Sequence, residues 1–137
     1  MTRREDWKLL LIDEDDGIRQ ILSAFLEDAG YSVLTVEDGE GGIELCREES
    51  PQIIITAIDL PGIDGIEVLK SIKKAYPYSE VIVTSVHNEI ERALKSFRLD
   101  AADFITKPIN QDTLMAALDR AKKRYEIQRK LQDYTTS

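Results

Sequence analysis

The sequence holds one cysteine, Cys46, and one histidine, His87. A lone thiol cannot close an internal disulfide, which points to a reducing, cytoplasmic setting, and Cys46 is expected as a small hydrophobe on a helix. His87 stands at the expected start of a helix and is expected as a solvated or capping residue. Long apolar runs are missing too. The run after Lys8 is four residues, Leu9 to Ile12, before Asp13, far short of the ~20 that span a bilayer, so neither membrane nor export is expected. Basic residues are in deficit, 18 against 26 acidic for a net charge of -8, which argues against nucleic acid as a direct partner of this segment.

The 137 residues, 42% hydrophobic and 32% charged, suit one globular domain that buries roughly two-thirds of the surface its unfolded chain exposes. Residues 8-12, 31-36, 53-57, 81-85 and 103-106 are predicted strands, rich in Leu, Ile and Val without strict alternation. That composition fits a sheet covered on both faces. Helical patterns separate them. The first carries Ile18, Ile21, Leu22, Phe25 and Leu26 and closes at Ala29-Gly30. The second runs from Asp38 to about Glu49, and Gly39-Glu40-Gly41-Gly42 is its start. It is no dinucleotide loop, because Glu44 stands where the third glycine is required. The third follows Asp64-Gly65 with Ile66, Val68, Leu69 and Ile72 and stops before Pro77, and the fourth spans roughly Asn88 to Leu99. A strand followed by a helix, five times over, predicts a doubly wound parallel sheet with right-handed crossovers.

The last helix begins after Asn110, a good N-cap, and outruns the domain. Its stripe Leu114, Leu118, Ala121, Tyr125 continues with an offset as Ile127, Leu131 and Tyr134. We expect a domain over residues 1-122 and a helical extension over 123-137, a coiled-coil linker to an output domain that is not in this chain. A solvated, frayed tail is the plainer alternative. Trp7 is expected to cover an end of the sheet.

In a parallel sheet the strand ends of one polarity share an edge, so residues far apart in sequence converge there. At those ends stand Asp13-Glu14, Ala57, Thr84 and Lys107. Two adjacent carboxylates repel unless a cation screens them, and Mg²⁺, which takes one or two carboxylates plus water and other oxygens, suits the pair. An acidic helix cap with solvated neighbours is the alternative for Asp13 and Glu14 alone. Lys107 can neutralise a phosphoryl oxygen and the Thr84 hydroxyl can donate to another. The loop Asp59-Leu60-Pro61-Gly62-Ile63-Asp64-Gly65 places Pro-Gly and Asp-Gly turns beside the same edge.

The ordered set Asp13-Glu14, Leu60-Pro61-Gly62-Ile63-Asp64-Gly65, Thr84-Ser85 and Lys107-Pro108 resembles the response-regulator receiver domain of two-component signalling, over residues 8 to about 122. The resemblance implies a (βα)5 flavodoxin-like fold with strand order 2-1-3-4-5. It also implies Mg²⁺ held by Asp13, Glu14 and the Asp59 backbone carbonyl, phosphoryl contacts from Thr84 and Lys107, a switch made of Thr84 and Phe104, and a cis Lys107-Pro108 peptide. The implied partner is a histidine kinase or phosphotransfer protein, and a homodimer is implied through the face of the fourth helix, fifth strand and fifth helix, or through the C-terminal helix. The departure is Ala57, which stands where the phospho-acceptor aspartate belongs. A methyl group cannot attack phosphorus, so the resemblance implies a receiver unable to form the usual aspartyl phosphate, with weakened Mg²⁺ binding.

Ala57 is either a natural loss or a deliberate Asp→Ala change, and retention of the other site residues favours the change. The domain is expected to be regulatory rather than enzymatic, although an output domain beyond this chain could itself be an enzyme such as a histidine kinase. A phosphorylation-independent scaffold that dimerises through its last helix is the rival reading. A small phosphohydrolase or flavin protein has less support, because no second aspartate stands beside Ala57 and no Ser/Thr/Gly-rich loop follows the first strand. Asp59 is a poor substitute acceptor, lying ~6.6 Å further along the strand direction.

Overall fold

The computed structural model describes residues 7–87 and 90–136. Along the chain run β1 (Lys8–Ile12), α1 (Asp16–Asp28), β2 (Ser32–Val36), α2 (Gly39–Glu49), β3 (Ile53–Ala57), α3 (Gly65–Ala75), β4 (Glu80–Ser85), α4 (Ile90–Arg98), β5 (Asp103–Thr106) and α5 (Gln111–Thr136). The strands form one parallel sheet in the order β2-β1-β3-β4-β5, as the sequence led us to expect. The expected start of the fourth helix at Asn88 lies outside the described residues.

The three central strands show why strict alternation is missing. Leu9 and Leu11 of β1, Ile53 and Ile55 of β3 and Ile82 of β4 pack with Leu22 and Leu26 of α1 and Leu114 and Leu118 of α5. Their neighbours Leu10, Ile12, Ile54, Val81 and Val83 turn to the other face and pack with Cys46 of α2 and Ile66, Val68, Leu69 and Ile72 of α3. Both faces of each strand are therefore core, and each fully buried Leu or Ile contributes about 1.5–3 kcal/mol. Burial also pushes the Cys46 thiol up to about 11, which leaves it an inert hydrophobe at neutral pH.

Four helix starts carry an Asp or Asn cap. Asp15, Asp38 and Asp64 cap α1, α2 and α3, each accepting a hydrogen bond from a backbone N–H of the first turn, and Asn110 accepts from Thr113 at the head of α5. Ile21 departs from the expected apolar stripe of α1. It is 68% exposed, on the rim of an open cleft of about 240 Å³ lined by Ile18, Leu22, Lys107, Pro108 and Ile109. The stripe on α1 is wider than the face that the sheet covers.

In α5 the change of offset marks the change of environment. Leu114, Leu118 and Ala121 are buried, Tyr125 packs edge-on against buried Trp7 with ring centroids 5.5 Å apart, and Ile127, Leu131 and Tyr134 are exposed. Trp7 thus covers the end of the sheet opposite to the strand termini considered next.

Candidate functional site at the carboxyl ends of the strands

Strand register assembles the site. Ile12 lies beside Thr56, Ala57 beside Thr84, and Ser85 beside Thr106. Asp13, Ala57, Thr84 and Lys107 consequently share one rim, as the strand-end argument requires. Backbone hydrogen bonds extend the pairing beyond the strands: Ile58 donates to the Thr84 carbonyl at 2.9 Å and Lys107 to the Ser85 carbonyl at 2.7 Å. The Lys107-Pro108 peptide is cis, as the resemblance implied.

Gly65 sets the depth of the pocket floor. A Cβ on this residue would stand 2.1 Å from the Ala57 carbonyl oxygen, so only glycine lets α3 begin this close to β3, where its N–H donates to the Ile58 carbonyl at 2.8 Å. Gly62, with φ of +76°, takes the left-handed turn in the intervening loop.

The cavity itself is small, about 40 Å³, and is lined by Glu14, Ala57, Asp59, Thr84, Ser85, Val86 and Lys107. Asp13 is buried and is tied to this lining through Lys107. One Asp13 oxygen receives Lys107 Nζ at 2.8 Å and the other accepts the Asp15 N–H at 2.9 Å. Asp13 is thus no helix cap; Asp15 takes that part. Glu14 is exposed, and Thr84 and Ala57 are buried. Phe104 is half-buried in β5, level with Val83 and packed on the α3 side of the sheet. His87 precedes α4, is exposed, and donates its backbone N–H to Ser85 Oγ at 3.0 Å.

Two arginines escaped the sequence analysis. Arg19 Nη1 donates to the Asp13 carbonyl at 2.6 Å, holding the acidic turn against α1. Arg92 reaches from α4 to two residues of the cavity lining, with Nη1 3.2 Å from both Asp59 carboxylate oxygens and 3.3 Å from Ser85 Oγ. Arg92 lies one turn before Ser96, the buried residue of α4, and so shares the inward face, which nothing in the sequence marks.

The donor atoms at this rim are all oxygens. Asp13, Glu14 and the Asp59 carbonyl are the groups that could hold Mg²⁺, a hard ion that takes few carboxylates. Among the described residues no three His, Cys, Asp or Glu side chains group as a ligand set.

Fold and site together define an α/β domain with an acidic, lysine-bearing pocket at its strand ends. The chain belongs to the response regulator receiver domain family, whose sequence profile it matches over residues 9–119. Among curated proteins it is 32% identical over 118 residues to the DNA-binding transcriptional regulator NtrC of Klebsiella pneumoniae, covering 86% of this chain and 25% of that protein. It is 33% identical over 127 residues to the nitrogen assimilation regulatory protein NtrX of Azorhizobium caulinodans, covering 91% of this chain and 28% of that protein. Among solved structures, NtrX from Brucella abortus superposes with a TM-score of 0.86 at 30% identity over 93% of this chain and 30% of that one. The receiver domain of a LuxO repressor protein from Vibrio parahaemolyticus superposes with a TM-score of 0.84 at 27% identity over 90% of this chain and 95% of that one. The chain spans about a quarter of the length of the curated relatives it matches.

Proposed function

We propose that this domain is the receiver of a phosphorelay whose pocket is complete except for its nucleophile. The supporting observation is the placement of Ala57: a buried methyl at the floor of a cavity walled by Thr84, Lys107 and Glu14, where a carboxylate belongs. With aspartate there, a carboxylate oxygen would attack phosphorus as the bond to the donor's imidazole nitrogen breaks and the leaving imidazole takes a proton. Lys107 Nζ and the Thr84 hydroxyl would meet the phosphoryl oxygens. Mg²⁺, when bound by Asp13, Glu14 and the Asp59 carbonyl, would screen the charge that gathers on those oxygens. The Thr84 hydroxyl, drawn toward the phosphoryl group, would vacate space into which Phe104 turns. That motion would reshape the α4-β5-α5 face for a partner or a second copy.

With Ala57 the trigger is missing, so the domain rests in its unphosphorylated conformation, with Mg²⁺ affinity reduced by the loss of one carboxylate ligand. The setting is cytoplasmic, the donor a histidine kinase or phosphotransfer protein, and residues 123-137 lead toward an output domain. No helix among the described residues is long and apolar enough to cross a membrane. The role is regulatory rather than enzymatic.

A scaffold reading draws on one observation, the uncovered Ile127, Leu131 and Tyr134 at four- and three-residue spacing on α5. Incubation of the Ala57→Asp chain with acetyl phosphate and Mg²⁺ separates the two. Phosphoryl uptake together with a change in self-association supports the receiver reading, and self-association without uptake supports the scaffold.

A further inference from the structure

Two cations at the pocket, Lys107 and Arg92, are held unequally. Lys107 pairs with Asp13 at 2.8 Å with both side chains nearly buried, 9% and 2% exposed, whereas Arg92 pairs with Asp59 at 3.2 Å with 29% and 46% exposed. A buried pair is costly to break, and an exposed one is held by a fraction of that free energy. An oxyanion arriving at this rim meets three carboxylates, those of Asp13, Glu14 and Asp59, and finds Lys107 already committed. The cheaper exchange is for Arg92 to leave Asp59. Its guanidinium already touches Ser85 Oγ, a wall of the cavity, at 3.3 Å, and its planar fork matches phosphate oxygens.

We infer that Arg92, supplied by α4, is a phosphodonor-binding residue of this pocket, held on the Asp59 carboxylate until a phosphoryl oxyanion takes that carboxylate's place. The inference rests on the pocket being a phosphoryl site, but it does not depend on covalent transfer. Because Ala57 cannot react, binding of acetyl phosphate to the native chain is a simple equilibrium. Asp59 acts as the competitor: its carboxylate withholds the guanidinium, while its backbone carbonyl is untouched by Asp59→Asn. The two substitutions should therefore move affinity in opposite directions.

The test is an NMR shift titration of the native chain with acetyl phosphate in saturating Mg²⁺. Arg92→Ala should weaken binding roughly two- to five-fold, the range exposed charge pairs support, and Arg92→Lys should retain part of the loss. Asp59→Asn should tighten binding by a similar factor, and that gain should shrink in the Asp59→Asn, Arg92→Ala double variant. The double variant separates release of Arg92 from the general effect of removing one negative charge. Unchanged affinity in Arg92→Ala, an undiminished gain in the double variant, or no saturable binding to the native chain would each overturn the inference. In the Ala57→Asp chain, labelling with an unchanged half-saturating acetyl phosphate on removal of Arg92 refutes the inference alone, whereas no labelling at all refutes the receiver reading.

Discussion

Two buried carboxylates sit at opposite ends of the same sheet, and their surroundings differ in kind. Asp13, at the carboxyl end of β1, has both oxygens engaged, by Lys107 Nζ at 2.8 Å and by the Asp15 N–H at 2.9 Å. Glu80, at the amino end of β4, is fully buried. Its nearest cation is Arg124 at 3.3 Å, and neither carboxylate oxygen accepts a hydrogen bond. Burial pushes the Glu80 carboxyl above the usual carboxylate range, with Lys73 and Arg124 pulling the other way and Asp100 adding to the rise. A charge satisfied on every side marks a built pocket, and one left with an ion pair alone marks a structural compromise.

The sharpest break of this comparison is Lys107→Ala, which strands Asp13 as a buried unpaired charge and should cost about 3–5 kcal/mol in a denaturant melt. Gly65→Ala comes next. Its new methyl must displace backbone 2.1 Å away at Ala57, and the expected loss is about 1–3 kcal/mol, read in the same way. Glu80→Gln should change stability at neutral pH by less than about 1 kcal/mol, because the native chain gains little from a charge that burial opposes.

The pH dependence of that third variant is the finer test. In the folded chain Glu80 holds its proton to higher pH than in the unfolded chain. Between about 4.3, the ordinary glutamate value, and the raised folded value, the native state binds more protons, so stability falls as pH rises. Thermal melts across that window should show a shallower decline for Glu80→Gln than for the native chain. The smallest effect belongs to Ile127→Ser on the exposed part of α5, expected within about 0.5 kcal/mol at concentrations where the chain is monomeric.

Most of the fold was legible because each strand is a short Leu, Ile and Val run bounded by turn chemistry, and the starts of α1, α2, α3 and α5 each carry a cap. Asp15 rather than Asp13 caps α1, a distinction that depends on which carboxylate Lys107 reaches from 94 positions away in the sequence. The rim was legible for a geometric reason, since parallel strands bring their ends together whatever their separation along the chain. Arg92 was not, because an arginine among Glu91, Lys95 and Arg98 looks like a solvated helix face until α4 is docked. Ile21 was misplaced for the complementary reason: apolar spacing gives the direction of a buried face but not its width. Glu80 heads an apolar run, and nothing local in the sequence says that it is fully buried with Arg124 of α5 3.3 Å away.

The central claim is that the pocket lacks a nucleophile and nothing else. Its most direct test is the intact mass of the Ala57→Asp chain after acetyl phosphate and Mg²⁺, with the native chain alongside and the modified residue mapped. One phosphoryl group on residue 57, removable by hydroxylamine, with none on the native chain, is the predicted result. No uptake by the well-folded variant, or equal uptake by the native chain at Asp59, would contradict it.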